Sequence, residues 1–262
     1  MSIAVILFGI YSGSSNGGNN PVRNRNYHDI IHVINKNLKN FEKFFINKNI
    51  DLFLSTNSVN DHQDELFRNA FNFKSCFFDK DNIELNGYDN QFIDNKYIMG
   101  TDYKSRCKKE FNSIELCINY SKKNNINYDY FIITRVDLLI IKDMCESNIN
   151  LECLNIVSEC EREPFICDNF YLLPRKYFDN FVSIIKNTDE VHHNLKYKFH
   201  DNFDINYILN EKTLINDLSF YKLIRTTHDC RCLYNSYLYV VDARLIILYY
   251  QILSLIFHLQ KS

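Results

Sequence analysis

Apolar residues fall along this chain in two rhythms. Short, nearly unbroken runs occur at residues 3–8 (Ile-Ala-Val-Ile-Leu-Phe), 50–56 (Ile-Asp-Leu-Phe-Leu-Ser-Thr) and 128–140. Runs of that length, bounded by turn-forming residues, predict buried strands. Between them the spacing turns helical. Over residues 27–45, Ile30, Ile31, Ile34, Leu38, Phe41 and Phe45 share one face. Over residues 103–124, Phe111, Ile114, Leu116, Cys117 and Ile118 are expected to point inward. Strand, helix and strand in alternation predict an α/β fold, opening with a nucleotide-binding type of unit.

The remaining pattern is weaker. Residues 57–97 read as polar and irregular, with one faint strand at 75–78. Short strands are expected at 154–158, 165–170 and 218–225, helices at 174–185 and 206–216, and a polar loop over 187–204. Residues 243–260 predict a helix with a wide apolar face. Its apolar part spans about 22 Å, short of the roughly 30 Å hydrocarbon core of a bilayer. Packing on the domain or on a partner is the reading taken, and an interfacial membrane helix is the alternative. A main domain over residues 1–235 and a C-terminal apolar helix over 236–262 follow.

Composition narrows the classes. A net charge of −2 over 262 residues carries no nucleic-acid footprint. Tryptophan is absent, while Asn, Lys and Ile are abundant, as an AT-rich coding sequence would produce. The nine cysteines include no Cys-x-x-Cys. Cys153, Cys160 and Cys167 recur every seven residues, but reduced, mostly buried thiols are the reading taken. His192, His193 and His200 are read as surface residues. The apolar opening run lacks a basic leader and a small-residue cleavage pattern. It is therefore read as a first strand and not as a signal peptide, with a cytoplasmic location (host cytoplasm for a viral chain).

Candidate chemistry lies where charge interrupts the apolar runs. Arg135 and Asp137 close the 128–140 run, and ligands of open α/β sheets bind outside the carboxyl ends of strands. Asp137 suits a hard divalent cation bridging a diphosphate, and Arg135, on the same strand face, suits a phosphate. The competing reading is an internal ion pair that only holds the strand end. Asp168, in Phe165-Ile166-Cys167-Asp168-Asn169-Phe170, is a carboxylate among apolar residues and a candidate general base, or else a turn carboxylate before the 174–185 helix. His228 could close over a metal or phosphate, or be a solvated loop residue. In the loop over 9–26, Gly13, Gly17 and Gly18 permit close backbone approach to an anion, and Arg23 and Arg25 could supply charge.

These segments together resemble a family. Tyr-Asp-Tyr-Phe-Ile-Ile-Thr-Arg-Val-Asp-Leu over 128–138 is similar to the Arg-x-Asp strand of GT-A-like glycosyltransferases found in capsule and lipopolysaccharide loci and in large DNA viruses. Cys167-Asp168-Asn169-Phe170 with Pro174-Arg175-Lys176-Tyr177-Phe178 resembles a later segment of that family, and residues 6–9 and 51–56 resemble its first two strands. The resemblance implies a GT-A-like α/β fold, a Rossmann-like, mostly parallel sheet flanked by helices, and transfer of a sugar from a nucleoside-diphosphate sugar to a hydroxyl of a glycan, lipid or protein. It implies donor contacts at Phe8, Gly9, Arg23, Arg25, Thr56, Arg135 and Asp137, metal ligation by Asp137 and His228, and Asp168 as catalytic base. Arg135 stands where the family's metal motif has its first Asp. Either a loosely bound Mn²⁺ or Mg²⁺, or no metal, is compatible with that change. The rival reading is a catalytically inactive nucleotide- or glycan-binding protein of the same fold.

Overall fold

The apolar runs become the central strands of one sheet. The computed structural model describes residues 1–9, 13–15, 23–25, 27–46, 48–80, 91–93, 96–98, 101–160, 165–188, 190–210, 212 and 221–223. In chain order the first half contains β1 (Ser2–Gly9), β2 (Gly13–Ser15), β3 (Arg23–Arg25), α1 (Tyr27–Phe44), β4 (Asn49–Asn57), α2 (Asp61–Ala70), β5 (Phe73–Asp79), β6 (Gln91–Ile93), β7 (Lys96–Ile98) and α3 (Thr101–Asn124). The second half contains β8 (Tyr130–Arg135), β9 (Leu138–Ile140), β10 (Leu154–Ile156), β11 (Phe170–Pro174), α4 (Arg175–Lys186), α5 (Lys196–His200), β12 (Ile205–Tyr207) and β13 (Tyr221–Leu223), with 3₁₀ turns at Met144–Glu146 and His192–Asn194.

The main sheet has seven strands in the order β12-β10-β11-β8-β1-β4-β5. β5, β4, β1 and β8 are mutually parallel, and β11 alone runs against its neighbours. The expected α/β architecture with a mostly parallel sheet is the one observed. Residues 3–8 of β1 are all buried, as a central strand covered on both faces requires. Complete burial of a large apolar side chain contributes about 1.5–3 kcal/mol, so this strand and the facing residues Phe53, Phe131 and Ile133 anchor the core. Helix α3 packs across β1, β4 and β5, and α4 across β11 and β8. The Phe131 and Phe178 rings stack between β8 and α4 at 3.6 Å and 9°.

Several expectations are corrected. The 9–26 stretch contains an antiparallel β2–β3 hairpin, with Gly13 opposite Arg25. A helix, α2, occupies the stretch read as irregular. It has few apolar residues, but its start is signalled by Asn60, whose side chain accepts from the Gln63 N–H at 2.8 Å. The 187–204 loop is a 3₁₀ turn followed by α5. Val191, Leu195 and Phe199, all buried, recur at helical spacing beneath the polar residues. The strand expected at 165–170 begins at Phe170, and the helix expected over 206–216 starts instead as β12. The long 128–140 run breaks after Arg135, and residues 138–140 leave the main sheet to pair with β13. Asn37 of α1 captures that departure, donating to the Leu138 carbonyl at 2.6 Å and accepting from the Ile140 N–H at 2.9 Å. The helix expected at 243–260 and the boundary at 235/236 lie outside the described residues. Among the described residues no helix is long and apolar enough to cross a membrane.

Candidate active site

The parallel strands deliver their carboxyl ends to one edge of the sheet. In register, Phe8 lies beside Ser55 on one side and Arg135 on the other, and Gly9 lies beside Thr56. Four sequence-predicted donor residues therefore share two adjacent rows. Gly9 closes β1 with φ +119°, a backbone conformation that side chains disfavour. This lets the chain turn away at the sheet edge while the Phe8 carbonyl accepts from the Val136 N–H at 2.9 Å.

Arg135 ends β8, and its guanidinium folds over the following turn. Nε and Nη2 each donate to one oxygen of Asp137, both at 2.8 Å. The Asp137 side chain is 1% exposed and that of Arg135 15%. The two residues do not share a strand face as expected: Asp137 lies in the turn beyond the strand, and the guanidinium reaches it there. A cation ligated by Asp137 would share its oxygens with the Arg135 guanidinium and meet that positive charge at close range.

Asp168 reaches the same edge from the other side. It precedes β11, whose Phe170 is in register with Thr134 of β8, and Thr134 Oγ1 donates to the Asn169 carbonyl at 3.2 Å. Its partner is Arg106 of α3, which the sequence reading missed. Arg106 Nη1 lies 3.3 Å from Asp168 Oδ2, and Nη2 donates to the Asp168 main-chain carbonyl at 2.6 Å. The same guanidinium sits 5.7 Å from the Phe8 ring centroid, a cation–π distance. A signal for Arg106 was present. Positions 106, 110, 113 and 117 continue one inward helical stripe, and charge on an inward stripe calls for a partner.

A second buried polar group lies close by. Cys107 and Glu110, one turn apart on α3, meet His192 of the 3₁₀ turn. Cys107 Sγ is 3.6 Å from His192 Nε2, and His192 Nδ1 is 3.4 Å from Glu110 Oε2. All three residues are buried, so the expectation of a surface His192 is corrected. Burial alone would lower the His192 pKa, but the Glu110 carboxylate and Cys107 outweigh it and raise it to about 10. His200, by contrast, is exposed and 3.0 Å from the Tyr207 hydroxyl. Seven cysteines lie among the described residues, and all are free thiols.

Of the other predicted residues, Arg23 and Arg25 are placed only as backbone in β3, and His228 lies outside the described residues.

No protein-family model matches the chain, and no characterised protein sequence matches it. Solved structures with a similar chain course include the catalytic domain of Drosophila β1,4-galactosyltransferase 7 in complex with xylobiose. It is 10% identical, with a TM-score of 0.39 over 87% of this chain and 73% of that one. A nucleoside-diphosphate-sugar pyrophosphorylase from Vibrio cholerae is 12% identical, with a TM-score of 0.40 over 87% and 97%. The inositol-1-phosphate CTP transferase of T. maritima is 13% identical, with a TM-score of 0.38 over 87% and 91%. Likeness at this level does not reach function.

Proposed function

We propose that the chain is a nucleotide-sugar-using transferase, specifically a glycosyltransferase acting on a hydroxyl of a glycan, lipid or protein. The observation that carries this reading is the convergence of two Arg–Asp pairs, Arg135–Asp137 and Arg106–Asp168, on the carboxyl edge of the parallel strands. That edge is where ligands of open α/β sheets bind.

The pairs suit two complementary tasks. Asp137 fixes the fork of Arg135 in a set orientation at the end of β8, and a guanidinium held so suits a diphosphate by charge and planar geometry. Positive charge held there stabilises the leaving group as the bond to the anomeric carbon breaks. Asp168, held by Arg106, accepts the proton of the acceptor hydroxyl as the new bond forms. Arg23 and Arg25 are further candidates for the diphosphate, and Phe8, Gly9 and Thr56 line the donor side. No step here is routed through a divalent cation: the positive charge set against Asp137 is the Arg135 guanidinium.

One observation favours a second reading. Asp137 is closed off beneath its partner, as a purely structural pair would be. On that view the protein binds a nucleotide or glycan without turnover.

A thermal-shift screen against UDP-, GDP-, CMP- and TDP-sugars, with and without Mn²⁺ and Mg²⁺, tests the proposal. Ligand binding to the folded state raises the melting temperature by mass action. The expected result is a shift with one nucleotide class that persists without metal, followed by donor consumption when acceptor is added. A shift without turnover supports the binding protein, and no shift with any donor removes the nucleotide-sugar reading.

A further inference from the structure

The Cys107, Glu110 and His192 group lies outside the proposed transfer chemistry and calls for its own account. Glu110 is fully buried, and neither of its oxygens accepts a hydrogen bond. Its described counter-charge is His192, in contact at 3.4 Å without hydrogen-bond geometry. A carboxylate buried there needs positive charge beside it, which a protonated His192 or an ion held by a neutral His192 supplies. The donor atoms of the three residues all lie within 4.8 Å of one another.

The separations match a soft divalent ion. Zinc takes thiolate sulfur at about 2.3 Å and imidazole nitrogen at about 2.0 Å in a tetrahedral arrangement, which sets the two ligands about 3.6 Å apart. Cys107 Sγ and His192 Nε2 are 3.6 Å apart. Cys107 and Glu110 are three residues apart on α3, a spacing that puts both on one helix face. Charge also balances, since one thiolate and one carboxylate with a neutral imidazole neutralise a doubly charged ion. The ligand types exclude the oxygen-preferring Mg²⁺ and favour Zn²⁺ or its analogues Co²⁺ and Cd²⁺.

We infer that Cys107, Glu110 and His192 form a zinc-type site that staples the 3₁₀ turn at His192–Asn194 to helix α3. The ion binds thiolate sulfur and neutral imidazole nitrogen, so any proton these ligands carry leaves as it binds. The site lies next in sequence to Arg106, which grips Asp168. The staple thus fixes the part of α3 that positions the candidate base. The inference concerns α3 and the turn alone and stands apart from the nucleotide-sugar reading.

Titration of chelator-treated, full-length protein with Co²⁺ tests it. The expected result is a thiolate-to-cobalt charge-transfer band saturating at one ion per chain. Cys107→Ser should abolish the band. Glu110→Gln, which replaces a charged oxygen donor by a neutral one, should keep the band and weaken binding. Restoring Zn²⁺ to the chelated wild-type protein should raise its melting temperature, a readout independent of the variants' folding. A band retained in Cys107→Ser would assign the metal to other cysteines and overturn the site. Absence of a band together with a melting temperature indifferent to Zn²⁺ would leave a metal-free Cys–His–Glu cluster and overturn it equally.

Discussion

Arg135 holds both oxygens of Asp137, through Nε and Nη2, in a two-pronged pair that straddles the end of β8. Bidentate pairing of this kind fixes direction as well as charge. It turns a flexible arginine into an oriented donor at the mouth of the sheet.

Asp137→Asn keeps the side chain's shape and removes the charge. The expected outcome is loss of the donor-induced thermal shift and of most turnover. Leaving Arg135 with a neutral partner should also lower stability by about 1–3 kcal/mol, read by urea unfolding. Near-normal turnover in this variant would remove Asp137 from the mechanism.

Asp168→Asn should separate binding from chemistry. Donor affinity is expected to hold while kcat falls about 10²–10⁴-fold, the usual contribution of a general base. A variant that loses donor affinity with kcat intact would place Asp168 in binding instead.

Arg106 acts on that base as a positioning residue. Arg106→Lys retains charge but cannot span both the Asp168 carboxylate and its main-chain carbonyl. A fall in kcat with KM little changed is expected, smaller than that of Asp168→Asn. An Arg106→Lys protein with wild-type kcat would dissolve the link.

Gly9→Ala tests the backbone at the sheet edge. Among the described residues the added Cβ meets Val136 Cγ2 at 3.6 Å, an ordinary van der Waals contact. The obstacle is the positive φ, and the expected loss is about 1–3 kcal/mol. A wild-type unfolding midpoint would show that the turn relaxes at no cost.

Much of the scaffold was readable from local pattern. β1, α1, β4, α3, the body of β8 and α4 stood out because each buries its apolar side chains at the period of its own backbone. α2 did not, since only Asp64 and Phe67 of its residues are buried and its start was marked by Asn60 alone. Abundant Asn looked like genomic bias, yet Asn37 and Asn155 are buried connectors. Asn155 alone donates to the carbonyls of Asn150, Cys153 and Leu172. Residue type did not distinguish these from the exposed asparagines.

The sequence by itself determined where the central strands and their long flanking helices form and that charge interrupts the apolar chain at Arg135, Asp137 and Asp168, because those are properties of neighbours along the chain. Only the tertiary structure decided which charges meet. Arg106 reaches Asp168 across 62 residues, and Cys107 reaches His192 across 85. Asn37 reaches over 101 residues to take residues 138–140 out of the central sheet. Such partners are set by how helices cross the sheet and how loops return over its edge. A buried charge or amide shows in the sequence that it needs a partner, but only the packed chain shows which one it finds.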